Sequence, residues 1–121
     1  MVDIVGYRFA GEGRSFELDL NSGVLKDDNG TRVHLTRKSW ALLVYFLENE
    51  QKVVSIDNLI ENVWDGANRT DKTVWSAVAA LKKSLGDSGK SPAFVAKEFG
   101  KGYLFLAVVS VLYDELSLIH I

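Results

Sequence analysis

The stretch that decides the fold is residues 71–86, with the sequence Asp-Lys-Thr-Val-Trp-Ser-Ala-Val-Ala-Ala-Leu-Lys-Lys-Ser-Leu-Gly. Its apolar residues recur at intervals of three and four, and they are Val74, Ala77, Val78, Leu81 and Leu85. This is the period of a helix that buries one face. Thr70 or Asp71 can cap its start, and Gly86 can end it. The stretch therefore predicts an amphipathic helix.

The face opposite this apolar stripe has small side chains at its centre and lysines toward its ends. It consists of Lys72, Ser76, Ala79, Ala80 and Lys83, with Trp75 and Lys82 on its flanks. Small side chains let another surface approach the helix backbone closely, and lysines can reach phosphates. A DNA major groove, about 12 Å wide, a partner protein and solvent are the three environments that fit. We expect DNA, because a solvated face usually carries long charged residues throughout.

Two further helices are predicted before this one. Thr36 and Ser55 are their expected N-caps, because a hydroxyl oxygen can accept hydrogen bonds from the free amides of a first turn. Apolar residues follow each cap at helical spacing, namely Trp40, Leu43, Val44 and Leu47 in the first helix and Ile56, Leu59, Ile60, Val63 and Trp64 in the second. The break at residues 66–68 separates the second helix from the third.

The residues before the first helix predict an antiparallel sheet of four strands. Phe16, Leu18 and Leu20 alternate with acidic residues, which is typical of a half-buried strand. Turn-forming residues follow at 21–23 and at 29–30. Segments 4–9 and 32–35 supply further strands.

After the third helix, segments 93–97 and 103–108 predict a hairpin whose tip, residues 99–102, presents Lys101 between two glycines. The order of four strands, three helices and a hairpin is that of an α+β fold, the winged helix-turn-helix with an N-terminal sheet. In that fold the third helix enters the major groove and the hairpin lies beside it as a wing.

Charge is distributed unevenly along the chain. The formal net charge is −2, but residues 1–65 sum to −4 and residues 66–105 to +4. The basic segment begins after Trp64 and starts with Arg69. An overall negative charge argues weakly against a nucleic-acid binder, whereas this local excess of cations favours one.

Several other functional classes find little support in the composition. The absence of cysteine excludes disulfides and thiolate chemistry. Neither His34 nor His120 lies in a catalytic pattern, and we predict no enzyme, no catalytic residue, no metal site and no cofactor. The longest apolar run, 104–113, is about half of the roughly 20 residues needed to span a bilayer. Together with a start that lacks signal-peptide features, this predicts a cytoplasmic protein with no membrane segment.

Four short motifs, in order, carry a resemblance to a known family. They are Leu35-Thr36-Arg37-Lys38 before Leu42-Leu43, Val53-Val54-Ser55 with Leu59 and Val63-Trp64, Lys72-Thr73-Val74 through Leu81-Lys82-Lys83-Ser84-Leu85, and Gly100-Lys101-Gly102-Tyr103. The chain resembles the OmpR/PhoB-type winged helix-turn-helix DNA-binding domain, closest to the ToxR/CadC-like bacterial transcription regulators. The resemblance covers about residues 7–106, so we expect residues 1–106 to form this domain.

The resemblance implies which residues contact DNA. They are Lys72, Thr73, Ser76, Ala80, Lys82 and Lys83 on the third helix and Lys97, Phe99 and Lys101 in the wing, to which the basic segment adds Arg69. Family members often have arginine at the positions of Ala80, Lys82 and Phe99, so we expect weaker base discrimination here. Trp75 is unusual for the family, and it can pack on the helix flank, pack against the wing, or contact DNA or a partner.

The expected partners are promoter DNA, RNA polymerase and a second copy of the chain on tandem half-sites. The role of residues 107–121 stays open between a strand, a short helix and a dimer contact that includes Val108, Val109, Val111 and Leu112. The alternative function is a winged-helix protein-interaction module with reduced or no DNA binding. It rests on Trp75 and Phe99, which make the predicted DNA surface less basic.

Overall fold

The computed structural model describes residues 3–66, 69–87 and 92–114. In chain order the elements are β1 (Ile4–Gly11), β2 (Arg14–Asp19), β3 (Val24–Asp27), β4 (Arg32–Val33), α1 (Arg37–Glu48), β5 (Val53–Val54), α2 (Ile56–Val63), α3 (Asp71–Ser84), β6 (Val95–Glu98), β7 (Gly102–Phe105) and β8 (Val108–Tyr113). They divide into two compact units. We call Met1–His34 with Val108–Ile121 the sheet unit and Leu35–Ala107 the helical unit.

The sheet unit is an antiparallel sheet with the strand order β4-β3-β2-β1-β8. Phe16 and Leu18 on β2 are buried while Glu17 between them is exposed, which confirms the predicted alternation. The ring of Phe16 stacks on that of Phe9 in β1, with 5.3 Å between centroids. One apolar face of the sheet is thus packed with aromatic side chains.

The sheet has five strands where the sequence predicted four. Strand β8 pairs antiparallel with β1, so that Val109 lies opposite Phe9. Of the alternatives left open for residues 107–121, the structure contains the strand at Val108–Tyr113, and residues 115–121 lie outside the described part. Hydrophobic alternation identifies a strand but not its partner, since either edge of a sheet offers the same backbone groups.

The helical unit contains the three predicted helices. The hydroxyl of Thr36 accepts from the Ser39 amide at 3.1 Å and caps α1. The hydroxyl of Ser55 accepts from the Asn58 amide at 3.0 Å and caps α2. Thr70 occupies the N-cap position of α3 without a capping bond from its side chain to the backbone. Two of the three starts therefore use the predicted capping chemistry.

The buried stripe of α1 is displaced by about one position from the predicted one. The buried residues are Ser39, Leu42, Leu43, Phe46 and Leu47. Trp40 and Val44, predicted as core, are only half-buried. The helix has apolar residues around most of its circumference, so spacing alone fits two overlapping stripes. Packing selected the stripe that includes Phe46, whose ring stacks on Phe105 of β7 at 6.0 Å.

The predicted hairpin of β6 and β7 is part of a three-stranded sheet with the order β5-β7-β6. The third strand, β5, pairs antiparallel with β7 through Val53 and Val54. Gly102 begins β7 with φ +141°, and a Cβ there would overlap the Val54 carbonyl oxygen. The wing thus contacts the rest of the helical unit directly through the backbone at its base.

Candidate nucleic-acid interface

The exposed face of α3 is the first part of the candidate interface. Val74, Val78 and Leu81 are buried, as predicted. The residues exposed on the helix are Asp71, Lys72, Trp75, Ser76, Ala79, Ala80, Lys83 and Ser84, with Thr73 and Lys82 half-buried and Arg69 exposed just before the helix. The structure therefore presents the predicted surface of small side chains between lysines.

The charges on α3 are arranged along its axis. Asp71 lies in the first turn, and Lys82 and Lys83 lie in the last. Both placements complement the helix dipole, whose N-terminus is positive and C-terminus negative. Lys72 and Lys83 are eleven residues apart, which at 1.5 Å per residue is about 16 Å along the axis. The small residues at the centre of the face thus separate Lys72, which lies beside Asp71, from the lysines of the last turn.

The wing tip is the second part of the interface. The amide of Lys101 donates to the Glu98 carbonyl at 3.0 Å and closes the turn. Gly100 has φ +71°, a left-handed conformation that favours glycine. Lys97 and Lys101 are exposed, and Phe99 at the tip is 89% exposed.

A contact between α3 and the wing joins these two parts. The Lys97 ammonium lies 5.0 Å from the ring centroid of Trp75 on α3 and 5.4 Å from that of Phe99. Both distances lie within the roughly 6 Å range of a cation–π interaction. We call Trp75, Lys97 and Phe99 the aromatic–lysine cluster. Of the alternatives for Trp75, this is packing against the wing, although its side chain stays 47% exposed.

A cleft of about 390 Å³ lies beside this cluster. Its walls come from the N-termini of α2 and α3 and from the wing, and its acidic residues are Asp57, Asp71 and Glu98. Tyr103 forms part of the wall. Burial, together with the negative charge of Asp71, raises the pKa of the Tyr103 hydroxyl above 10.0. The hydroxyl is therefore neutral at physiological pH.

Sequence reasoning missed a residue that positions the wing. The carboxylate of Asp87, just after α3, accepts hydrogen bonds from the amides of Ala93, Phe94 and Val95 at 2.7, 3.3 and 3.0 Å. Asp87 lies in a polar segment for which the sequence predicts no role, and residues 88–91 of that segment lie outside the described part. A turn-prone acid just after a helix-ending glycine is a signal for such a role, but not for its partners.

The surroundings of Lys97 are a second feature that the sequence did not predict. The resemblance implies that Lys97 contacts DNA, which stays a prediction, and the structure places its ammonium near the rings of Trp75 and Phe99. No spacing rule could have found this contact, because its members lie on α3, on β6 and in the wing turn. Lys90, counted in the basic segment, lies outside the described residues.

A helix-turn-helix with a three-stranded wing sheet defines the class of protein as a winged helix-turn-helix domain. Residues 30–105 match the family described as "Transcriptional regulatory protein, C terminal". The match covers more than half of the chain, and the chain belongs to this family, the OmpR/PhoB-type domain that the motifs resembled. The family consists of DNA-binding domains of transcription regulators, which are not enzymes.

Two curated relatives and one solved structure illustrate the similarity. The chain is 34% identical over 88 residues to the transcriptional activator CadC of Escherichia coli K12, covering 72% of this chain and 17% of CadC. It is 35% identical over 98 residues to the regulatory protein KdpE of Mycobacterium tuberculosis, covering 79% of this chain and 42% of KdpE. The DNA-binding domain of E. coli CadC superposes with a TM-score of 0.71, at 28% identity over 80% of this chain and 91% of that one. The chain thus spans less than half the length of these curated relatives.

Proposed function

We propose that this chain binds double-stranded promoter DNA as part of a bacterial transcription regulator, with α3 in the major groove and the wing at the minor groove. The observation that carries the proposal is the exposed face of α3, where small side chains lie between lysines. The description of the similar CadC domain as DNA-binding supports it. Among the described residues no helix is both long and apolar enough to cross a membrane.

The predicted site residues on α3, with Arg69 before it and Lys101 in the wing, have the following roles in this proposal. Lys72, Lys82 and Lys83, with Arg69 before the helix, bind phosphates through charge. Thr73, Ser76 and Ala80 face the base edges, where a hydroxyl or a methyl group can make contact. Lys101 at the wing tip lies in or over the minor groove. With so few arginines available for guanine, binding gains most of its free energy from counterion release.

Titration of a duplex of about 30 base pairs at two salt concentrations, about 50 and 200 mM, tests the proposal. We expect binding at the lower concentration and a marked loss at the higher one. Lys83→Ala should weaken binding and lower the slope of log affinity against log salt by about 0.9. Absence of binding at low salt, or binding that ignores salt, contradicts the proposal.

Lys52→Ala is the matched control. Lys52 is exposed and belongs to the same unit. Its neighbour Gln51 donates its amide to the Phe105 carbonyl at 3.3 Å, which places Lys52 at the end of β7 opposite the wing tip. Its substitution should leave both affinity and salt slope unchanged.

The second candidate function is a protein-interaction module, and the exposure of Trp75 and Phe99 favours it. Interface hot spots are enriched in aromatic residues, so Trp75→Ala or Phe99→Ala should then weaken partner binding. Lys82→Ala and Lys83→Ala should leave it nearly intact. The opposite ranking, with the lysine variants more damaging, favours DNA.

The family resemblance extends the proposal to three further features. Contact with RNA polymerase would be tested by transcription from a promoter template with and without the chain. A cytoplasmic location follows from the proposed DNA target. The division into a domain at residues 1–106 and a separate C-terminal extension stays a prediction. Within that extension, β8 (Val108–Tyr113) pairs with β1 of the N-terminal sheet.

A further inference from the structure

The two lysines of the wing have different surroundings. Both are exposed, and Lys101 lies in the tip turn. The Lys97 ammonium lies 5.0 Å from the ring centroid of Trp75 and 5.4 Å from that of Phe99. Each ring attracts the ammonium electrostatically, so these contacts compete with the attraction of a phosphate. The resemblance implies a DNA contact for both lysines, but only Lys97 has two aromatic rings within the range of a cation–π interaction.

The cluster connects the wing tip to α3 through side-chain contacts. Trp75 belongs to the helix and Phe99 to the tip, and Lys97 contacts both. The Phe99 ring is nevertheless 89% exposed, so the contact orients it without covering it. An oriented and exposed aromatic ring is a preorganised contact surface, which loses little conformational freedom when a partner binds.

We propose that the wing of this chain contacts DNA through the Phe99 ring, as an apolar contact in the minor groove, and that Lys97 is a positioning residue for that ring. This inference rests on the proposed DNA binding. Apolar side chains are used in minor grooves, where they contact sugars or enter between base steps. Lys101, near Phe99 in the tip turn, supplies the positive charge that contacts a phosphate. The wing thus combines one apolar contact and one charged contact.

The salt dependence of binding separates positioning from phosphate contact. A cation that neutralises a phosphate contributes about 0.9 to the slope of log affinity against log salt. Lys97→Met removes the charge and keeps an unbranched side chain. We expect it to weaken duplex binding about fivefold with an unchanged slope, because Phe99 loses its orientation. Lys101→Met, the matched control, should lower the slope by about 0.9.

Two further variants probe the same contact. Lys97→Arg keeps a cation that stacks on aromatic rings and should retain the wild-type affinity. Phe99→Ala should weaken binding about tenfold with the slope unchanged, while Phe99→Arg should raise the slope by about 0.9. Phe99 is almost fully exposed, so these variants should fold. Their melting temperatures check this directly.

A measurement without DNA tests the cluster itself. Ring currents should shift the proton resonances of the Lys97 ε-methylene upfield of those of Lys52. Trp75→Leu should remove much of that shift. Combining Trp75→Leu with Lys97→Met should weaken duplex binding by less than the product of the two single effects.

Different outcomes would overturn the proposed DNA binding and the roles proposed for Lys97 and Phe99. If wild-type chain binds no duplex at low salt, the proposed function fails, and this inference with it. If the wild type binds but Lys97→Met lowers the slope as Lys101→Met does, Lys97 is a phosphate contact and the inference alone is wrong. Unchanged binding by Phe99→Ala, or an unshifted Lys97 resonance, also overturns it.

Discussion

At the scale of single residues, Gly102 shows how one position connects the wing to the rest of the helical unit. Its φ of +141° belongs to a region that favours glycine, and an added Cβ would overlap the backbone of Val54. Gly100, two residues earlier, also has a positive φ but open space around its Cβ position. A substitution at Gly100 therefore tests conformational strain alone, whereas one at Gly102 tests strain together with steric overlap.

Gly102→Ala should lower the free energy of unfolding by about 3 kcal/mol or more, because β7 has to move away from β5. Gly100→Ala carries only the left-handed strain and should cost about 1 kcal/mol. Thermal or urea denaturation of both variants gives the comparison. Equal losses would mean that the backbone contact at Val54 contributes nothing.

The raised pKa of Tyr103 makes a prediction for alkaline pH. Burial and Asp71 disfavour the phenolate in the folded chain, so the folded pKa exceeds the unfolded value of 10.0. The resulting contribution to stability is complete below pH 10 and is lost as the pH rises through the folded pKa. Tyr103→Phe should therefore flatten the loss of stability above about pH 10. Titration of the Tyr103 phenolate near pH 10.0 by ultraviolet absorbance would contradict this.

At the scale of elements, the junction between α3 and β6 sets the position of the wing. Gly86 has φ +69° and ends the helix, and its amide donates to the Lys83 carbonyl at 3.1 Å. The Asp87 carboxylate that follows binds three amides at the start of the next segment. One side chain thus connects the end of α3 to the beginning of the wing.

Replacing Asp87 by Ala should lower the free energy of unfolding by about 2 kcal/mol or more, since three amides lose a charged acceptor. Duplex binding should weaken as well, because the wing loses a fixed point beside α3. Asp28→Ala, at an exposed turn acid, is the control and should change stability by less than about 0.5 kcal/mol. A variant of Asp87 as stable as the control would show that water replaces the carboxylate without cost.

At the scale of the whole molecule, β8 forms an edge of the sheet unit and carries exposed apolar residues. Val108 is 72% exposed and Tyr113 is 49% exposed. An edge strand has free backbone groups that can pair with a second strand. We propose that the expected dimer on tandem half-sites forms through β8, and this contact can be tested.

We predict weak and poorly selective binding to one half-site, and tighter binding to two half-sites about one helical turn apart, by effective concentration. Val108→Lys should abolish the gain from the second half-site, because a lysine on an edge strand opposes pairing. Val53→Lys, on the edge strand of the other sheet, is the control and should retain the gain. Mass in solution and titration against both duplexes provide the measurements.

If the wild-type chain binds a single half-site as tightly and selectively as a pair, the predicted weak binding of one copy and the dimer proposal are both wrong. Truncation at residue 107 is unsuitable as a test, since it removes β8 from its pairing with β1. The point substitution leaves that pairing in place.

The sequence by itself determined the local features of this protein. The helical stripe of α3, the caps Thr36 and Ser55, and the alternation of β2 depend on neighbours within a few positions, so spacing and side-chain type are sufficient to predict them. The exposed face of α3 follows from its buried one, because 3.6 residues per turn fix both. These local elements in order also defined the fold class.

Only the tertiary structure decided the contacts between distant segments. The pairing of β8 with β1, the addition of β5 to the wing sheet and the burial of Phe46 in place of Trp40 each depend on which partner packs best. The position of Lys97 between Trp75 and Phe99 has the same origin. Periodicity states which side of an element is apolar but carries no information about what covers it, because burial is non-directional.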